Sequence, residues 1–214
     1  IKYPLKLNSN DFFLDIGSGS GVGNTHWWGK KESIKTYNKL TKNIFAVEPD
    51  KGSHKILKNY VAKSFFAIDD IDVNILFDKI RLNWSLEHVH DPQKYFKFIS
   101  ERLKKDGEAL ICIPNFGGHI YGIDPSISEL PIHLYHFKIK NIEDYCNKNN
   151  LKITLFKTFS YSTMYYFSSL IFKNDYLSQF KNMSINQLRN FQKTLDQLDK
   201  ENKGNDMVLK ITHD

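Results

Sequence analysis

The run Leu14-Asp15-Ile16-Gly17-Ser18-Gly19-Ser20-Gly21-Val22-Gly23 constrains this chain more than any other stretch. The apolar segment Phe12-Phe13-Leu14-Asp15-Ile16 breaks abruptly into glycines at every second position. A strand that ends in such a turn lets its backbone bend sharply and approach a ligand with no Cβ in the way. Spacing excludes two frequent users of glycine loops. A dinucleotide fingerprint counted from Gly17 needs Gly or Ala at position 22, where Val22 stands, and no Lys-Ser/Thr pair follows to complete a P-loop.

Further short apolar runs at 44–48, 63–68, 77–83 and 108–113 read as strands, with helical patterns at 53–59 and 92–103 between them. That alternation is the signature of βαβ units around a parallel sheet. The helix at 92–103 has Asp91 as N-cap and Pro92 at its first position. Its Tyr95, Phe96, Ile99 and Leu103 share one face, and Asp106-Gly107 is expected to close it. Residues 116–132 form a long Gly/Pro-punctuated connection, the kind of loop that serves as a lid or binding segment. Beyond it the pattern predicts a helix at 141–149, a strand at 151–159, an amphipathic helix at 185–200 and a last strand at 207–212. Leu188, Phe191, Leu195 and Leu198 stripe the late helix, as a core face or as a dimer surface.

The 214 residues suffice for one α/β core, so 1–214 is read as a single domain with an added helical segment at about 160–205. With 41% hydrophobic residues the chain is too apolar for a disordered polymer. No stretch reaches the roughly eighteen consecutive apolar residues of a membrane span. Residues 1–7 lack a signal-peptide core and cleavage pattern, which suggests a cytoplasmic protein; the first residue is not Met, so native residues before Ile1 are compatible with it. Cys112 and Cys146 lack metal or disulfide spacing and read as buried thiols. The net charge of +6 comes mostly from lysine scattered over every segment, with no arginine-rich run and no aromatic interleaving, which argues against nucleic-acid binding.

Asp15 and the G-x-G-x-G run after it closely resemble the first motif of class I S-adenosylmethionine-dependent methyltransferases. Glu48-Pro49 ends the second strand, where that family places a ribose-binding acid. Asp70-Ile71 follows the third, where the family reads adenine with a carboxylate and a backbone N–H, Asp69 being the competing carboxylate. Asn83-Trp84-Ser85-Leu86-Glu87-His88-Val89-His90-Asp91-Pro92 looks like the signature of the small-molecule branch, type 11/12. Leu103 to Gly107, Ile113-Pro114-Asn115 and His133-Leu134-Tyr135-His136-Phe137 continue the likeness, which spans about residues 12–158.

The resemblance implies a three-layer, doubly wound α/β fold with a seven-stranded, mostly parallel sheet and an antiparallel last strand. It implies S-adenosylmethionine as cofactor, leaving as S-adenosylhomocysteine, and a cofactor site drawn from Asp15, Gly17, Ser18, Gly19, Gly21, Glu48, Pro49, Asp69, Asp70, Ile71, Asn83, Trp84, Ser85 and His88. Asp15, Glu48 and Asp70 suit the ligand's ammonium, ribose hydroxyls and adenine amino group respectively. His133 and His136, bordering the long loop, are candidates for a general base, or else pack the lid. No metal is expected: His133, His136 and Asp124 or Glu129 have no metal-signature spacing. The acceptor is expected to be a small sugar-type or amino metabolite, methylated on oxygen or nitrogen, with an RNA methyltransferase or a non-catalytic binding subunit as alternatives. A homodimer is compatible with the sequence. Two departures from the family pattern stand out. The interval from Gly21 to Glu48 exceeds the usual spacing of about 20 residues and holds Trp27-Trp28-Gly29-Lys30-Lys31, and residues 160–205 separate the last two strands.

Overall fold

Four buried residues, Phe13–Ile16, make β1, an interior strand of a seven-stranded sheet. The computed structural model describes residues 5–22, 33–123, 132–171 and 175–214. The remaining strands are β2 (Ile44–Val47), β3 (Lys63–Phe65), β4 (Phe77–Asn83), β5 (Leu103–Pro114), β6 (Leu151–Phe159) and β7 (Asp206–His213), in the spatial order 3-2-1-4-5-7-6. β1 pairs in parallel with β2 and β4, Leu14 lying opposite Phe45 and Ile80. β7 enters antiparallel between β5 and β6. This is the doubly wound sheet with an antiparallel last strand that the resemblance implies. Strand order reverses between β1 and β4, which opens a crevice at their carboxyl ends.

The period-two alternation of side chains feeds two layers of core. Leu14, Ile16 and Val47 join one cluster, while Phe13, Ile44 and Ala46 join the opposite one. Helices α1 (Ile34–Tyr37) and α2 (Lys51–Leu57) cover the second face through Ile34, Tyr37 and Leu57. Helix α3 (Pro92–Arg102) brings Phe96, Phe98 and Ile99 to the first face. As expected, Asp91 caps it by accepting from the Lys94 N–H, and Pro92 stands at its first position. Two shorter elements follow, α4 (His119–Ile123) and α5 (Ile139–Lys148), the latter adding Ile142 and Cys146 to the first face.

Three expectations about local structure are corrected. The third strand stops at Phe65, and Ile68–Asp70 is a 3-10 turn in which Asp70 Oδ2 accepts from the Ala67 N–H at 3.0 Å. Helix α3 ends at Arg102, so Asp106-Gly107 lies inside β5 rather than closing the helix. Leu103 already pairs with Phe77, and the register shift between Phe77 and Lys79 extends β5 backwards. The connection from 116 is not all loop, because α4 is held at its start by the His119 N–H on the Lys203 carbonyl and the Ile120 N–H on Asn205 Oδ1 (both 2.9 Å). Asp124, Pro125, Ile127, Glu129 and Leu130 of that connection lie outside the described residues, as does the Trp27-Trp28 insertion.

The added segment folds into α6 (Ser162–Ile171), α7 (Asp175–Ser178), a 3-10 turn at Gln179–Asn182 and α8 (Ile185–Lys200). A third cluster joins it to α4: Ile120, Tyr121, Tyr165, Leu177, Phe180, Leu188 and Leu195, with Phe191 and Leu198 packed on it. The α8 stripe therefore belongs to a core, not to a dimer surface. Each fully buried leucine there contributes about 1.5–3 kcal/mol of burial. Cys112 and Cys146 are free and buried; burial pushes the first thiol well above its ordinary range and the second up to about 12. Among the described residues no helix is long and apolar enough to cross a membrane.

Candidate active site

The glycine turn leaves β1 with left-handed backbone at alternate residues: φ is 75° at Gly17, 54° at Gly19 and 73° at Gly21. L-residues avoid that region, so the G-x-G-x-G spacing follows directly from the path of the chain. The turn is tied to the next two strands. The Gly17 N–H donates to the Val47 carbonyl (2.8 Å), and Ser85 Oγ donates to the Ile16 carbonyl (2.9 Å). A Cβ on Gly17 would stand 2.3 Å from Ser85 Cβ, whereas a Cβ on Gly19 would meet nothing within 4 Å among the described residues. The first glycine is needed for packing, and the second faces an open cradle.

Glu48 lies at the end of β2 with 9% exposure and anchors that cradle. Its Oε2 accepts from the Gly19 N–H at 2.7 Å, and its Oε1 accepts from the Asp50 N–H at 2.9 Å. Each carboxylate oxygen has a second lone pair, so the group can still accept from a vicinal diol. Pro49 leads from Glu48 into Asp50, the N-cap of α2. Ser18 sits beside this junction, its hydroxyl 3.4 Å from the Val47 carbonyl.

Asp15, expected to suit a ligand ammonium, is bound to the neighbouring strand β4. It is 2% exposed, and its two oxygens accept from Arg81 Nε and Nη2, each at 2.7 Å. Arg81 comes from the middle of β4, and its guanidinium also stacks over Phe13 and Tyr37. A carboxylate engaged in such a buried fork ties β1 to β4. The sequence reading missed Arg81, although an arginine between Ile80 and Leu82 in β4 was the available signal.

An unsatisfied acceptor is present one strand over. Asn83 Oδ1, at the end of β4, is buried and has no hydrogen-bond partner among the described residues. A buried acceptor of this kind carries a desolvation cost that a ligand donor removes. Trp84 follows with φ 55°, a left-handed conformation for a bulky residue that costs about 1–3 kcal/mol and clusters at functional sites. Its N–H donates to the Cys112 carbonyl at 2.8 Å, which fixes the turn across to β5. The open cradle, Glu48 and the orphaned Asn83 oxygen together fit the nucleoside and amino-acid ends of S-adenosylmethionine.

The adenine-side carboxylates are less committed to a ligand. Asp70 caps its own turn, and exposed Asp69 pairs with Lys94. Ile71 is buried beside them.

His133 and His136 fall in different surroundings. His133 is 6% exposed and stands against His88, ring centroids 4.9 Å apart. Ligand atoms of Glu87, His88 and His133 lie within 4.8 Å of one another. His136 packs over Phe116 at 4.8 Å and lines a cavity of about 260 Å³ with Tyr135, Phe137, Asn141, Asp144, Tyr145 and Lys148. His88, also expected near the cofactor, has its Nδ1 3.0 Å from the Ile132 carbonyl. A further histidine, not singled out from the sequence, is His119: its Nδ1 is 2.9 Å from the Tyr165 hydroxyl, and burial keeps its pKa below the ordinary 6.5. Glu87 was legible only as part of the Leu-Glu-His motif, with no role attached.

A family model described as a methyltransferase domain matches residues 2–155. No curated protein matches. Among solved structures, a S-adenosylmethionine-dependent methyltransferase from Clostridium acetobutylicum is 14% identical, with TM-score 0.57 over 94% of this chain and 83% of that one. The YcgJ protein from Bacillus subtilis is 15% identical, with TM-score 0.57 over 95% and 90%. An O-methyltransferase from a Brevibacillus brevis multienzyme, in complex with S-adenosyl-L-homocysteine, is 16% identical, with TM-score 0.53 over 94% and 66%.

Proposed function

Because the chain belongs to the class I S-adenosylmethionine-dependent methyltransferases, we propose that it methylates an oxygen of a small polar acceptor such as a sugar, a sugar nucleotide or an amino metabolite. S-adenosylmethionine, when bound, supplies a methyl group already activated by the sulfonium charge, so the protein's task is alignment and exclusion of water. Glu48 receives the ribose hydroxyls, the Gly17–Gly21 turn passes beneath the ligand, and Asn83 Oδ1 accepts from its ammonium. Asp70 or Asp69, with the Ile71 N–H, marks the adenine end. The described residues 116–123 and 132–137 form the acceptor side, where His133 and His136 stand ready to take up the hydroxyl proton.

The observation that carries this reading is the grouping of buried His133 and Glu87 with exposed His88, on the turn that leaves β4 two residues after Ser85. An imidazole beside a carboxylate is the usual partner of a weakly acidic hydroxyl. Surface lysines are interspersed with acids, as in Lys104–Asp78 at 2.8 Å and Lys140–Asp144 at 2.9 Å, which favours a small acceptor over a phosphate backbone.

The test is an acceptor-library screen that detects S-adenosylhomocysteine, followed by His133→Ala and His136→Ala on the acceptor found. A general base shows as a drop of about 10²- to 10⁴-fold in rate with cofactor affinity retained. Near-normal turnover in both variants would eliminate a histidine base. Turnover restricted to RNA, falling steeply with salt, would replace the small acceptor with a polynucleotide.

A further inference from the structure

Two histidines and one carboxylate converge where the sequence reading expected no metal. Glu87 and His88 are adjacent on the 3-10 turn Leu86–His88, directly after β4, while His133 arrives from a segment 45 residues downstream. The Leu134 and Tyr135 N–H groups clamp that segment to the turn by donating to the Glu87 carbonyl at 2.8 and 3.2 Å. Side-chain donors of all three residues lie within 4.8 Å of one another, and His88 Nε2 is 3.9 Å from Glu87 Oε1. Tetrahedral ligation at about 2.1 Å would set donor atoms roughly 3.4 Å apart, so rotamer adjustments of an ångström or less suffice.

The surroundings suit a cation. Glu87 is 1% exposed, so its carboxylate sits where a positive charge is worth most. His88 Nδ1 lies 3.0 Å from the Ile132 carbonyl; donation of its N–H there turns the Nε2 lone pair toward Glu87. The His88 side chain is 39% exposed, which leaves one side of the cluster open to solvent or an acceptor.

We propose that Glu87, His88 and His133 bind one first-row divalent metal ion, zinc matching the two-imidazole, one-carboxylate donor set best. Three protein ligands with an open position are the pattern of a catalytic rather than a structural site. The acceptor class follows: a compound presenting a hydroxyl to the open position, where the ion holds it and makes it more acidic, its proton passing to solvent. His133 is then a ligand, and His136 is the remaining imidazole on the acceptor side. This role rests on the proposed O-methylation, but the binding itself does not.

The full chain is stripped with chelator and titrated with Zn²⁺ by calorimetry and with Co²⁺ by visible absorption, S-adenosylhomocysteine binding being measured on the same samples. One saturable site is expected, with the intense visible bands of low-coordinate Co²⁺. Glu87→Gln, His88→Ala and His133→Ala should each weaken it about a hundredfold or more, a loss beyond that of removing a residue that only hydrogen-bonds to a ligand, while His90→Ala leaves it unchanged. Solvent-exposed His88 keeps the test meaningful if the buried variants fold poorly. Absence of a saturable site, or affinity indifferent to His88→Ala, overturns the proposal. Retained S-adenosylhomocysteine binding in that case leaves the methyltransferase reading standing.

Discussion

Replacing Gly17 or Gly19 by alanine separates packing from ligand binding within a single turn. Both residues are left-handed, at φ 75° and 54°. That conformation costs an L-residue about 1–2 kcal/mol, offset by about 0.4–1 kcal/mol because alanine restricts the unfolded chain. For Gly19→Ala nothing further is added, since its Cβ meets no atom within 4 Å. The net loss is about 1 kcal/mol, or roughly 2–4 °C in Tm for a chain of this size. Gly17→Ala also forces a Cβ to within 2.3 Å of Ser85 Cβ, and Ser85 is held by its bond to the Ile16 carbonyl. Overpacking of that kind adds about 1–3 kcal/mol, for a total near 3 kcal/mol and a fall of roughly 6–12 °C. Binding reverses the order of interest. The Gly19 methyl projects into the cradle, so S-adenosylhomocysteine affinity should fall at least about tenfold, some 1.4 kcal/mol, in a protein that remains folded. Thermal melts and calorimetry on the two variants decide the matter. Wild-type affinity in Gly19→Ala, or equal destabilisation of both, would refute the argument.

Glu48→Ala should weaken cofactor binding by about 1.5–3 kcal/mol, the scale of hydrogen bonds to a charged group; unchanged affinity by calorimetry would remove Glu48 from the ribose. Arg81→Met leaves Asp15 buried without its ion-pair partner and should cost about 3–5 kcal/mol in chemical denaturation. Asp15→Leu/Arg81→Met should recover most of that loss, and a double variant as unstable as the single one would show that the fork is not the cause. His119 has a folded-state pKa lowered by burial, so the unfolded chain binds more protons. Its contribution to stability is present above the unfolded value near 6.5 and is lost as pH falls through the folded value; His119→Gln should flatten the stability profile in that window.

The readable parts of the site are those written in contiguous residues. Gly17, Gly19 and Gly21 alternate because the backbone does, and Glu48 follows its strand at once, so both could be taken from the sequence. The Asp15–Arg81 fork joins residues 66 apart across β1 and β4, and periodicity says nothing about which inward positions meet. Likewise His133 is brought to Glu87 by the Leu134 and Tyr135 N–H groups on the Glu87 carbonyl, bonds between distant segments that no local pattern encodes. Local signals also misled where tertiary pairing outweighed them: Asp106-Gly107 resembles a helix stop, yet the pairing of Leu103 with Phe77 claims the residues between for β5. The amphipathic period of α8 marked its apolar face correctly, but could not say that α4 and α6 would cover it.

The place of β7 between β5 and β6 bears on how the protein is made. A ribosome releases β6 before the strand that joins it to the sheet exists, and His213 follows Phe159 by about 54 residues. At about 5–20 residues per second, the nascent chain waits roughly 3–11 s with one edge of β5 uncovered and β6 unpaired. During that interval Ile111, Ile113 and Phe156 have no β7 to lie against, an adhesive edge of the kind that recruits chaperones or pairs with a neighbouring chain. Closure of the sheet is thus a late event in synthesis, and slowing translation beyond residue 159 should lengthen the time during which the nascent chain depends on chaperones.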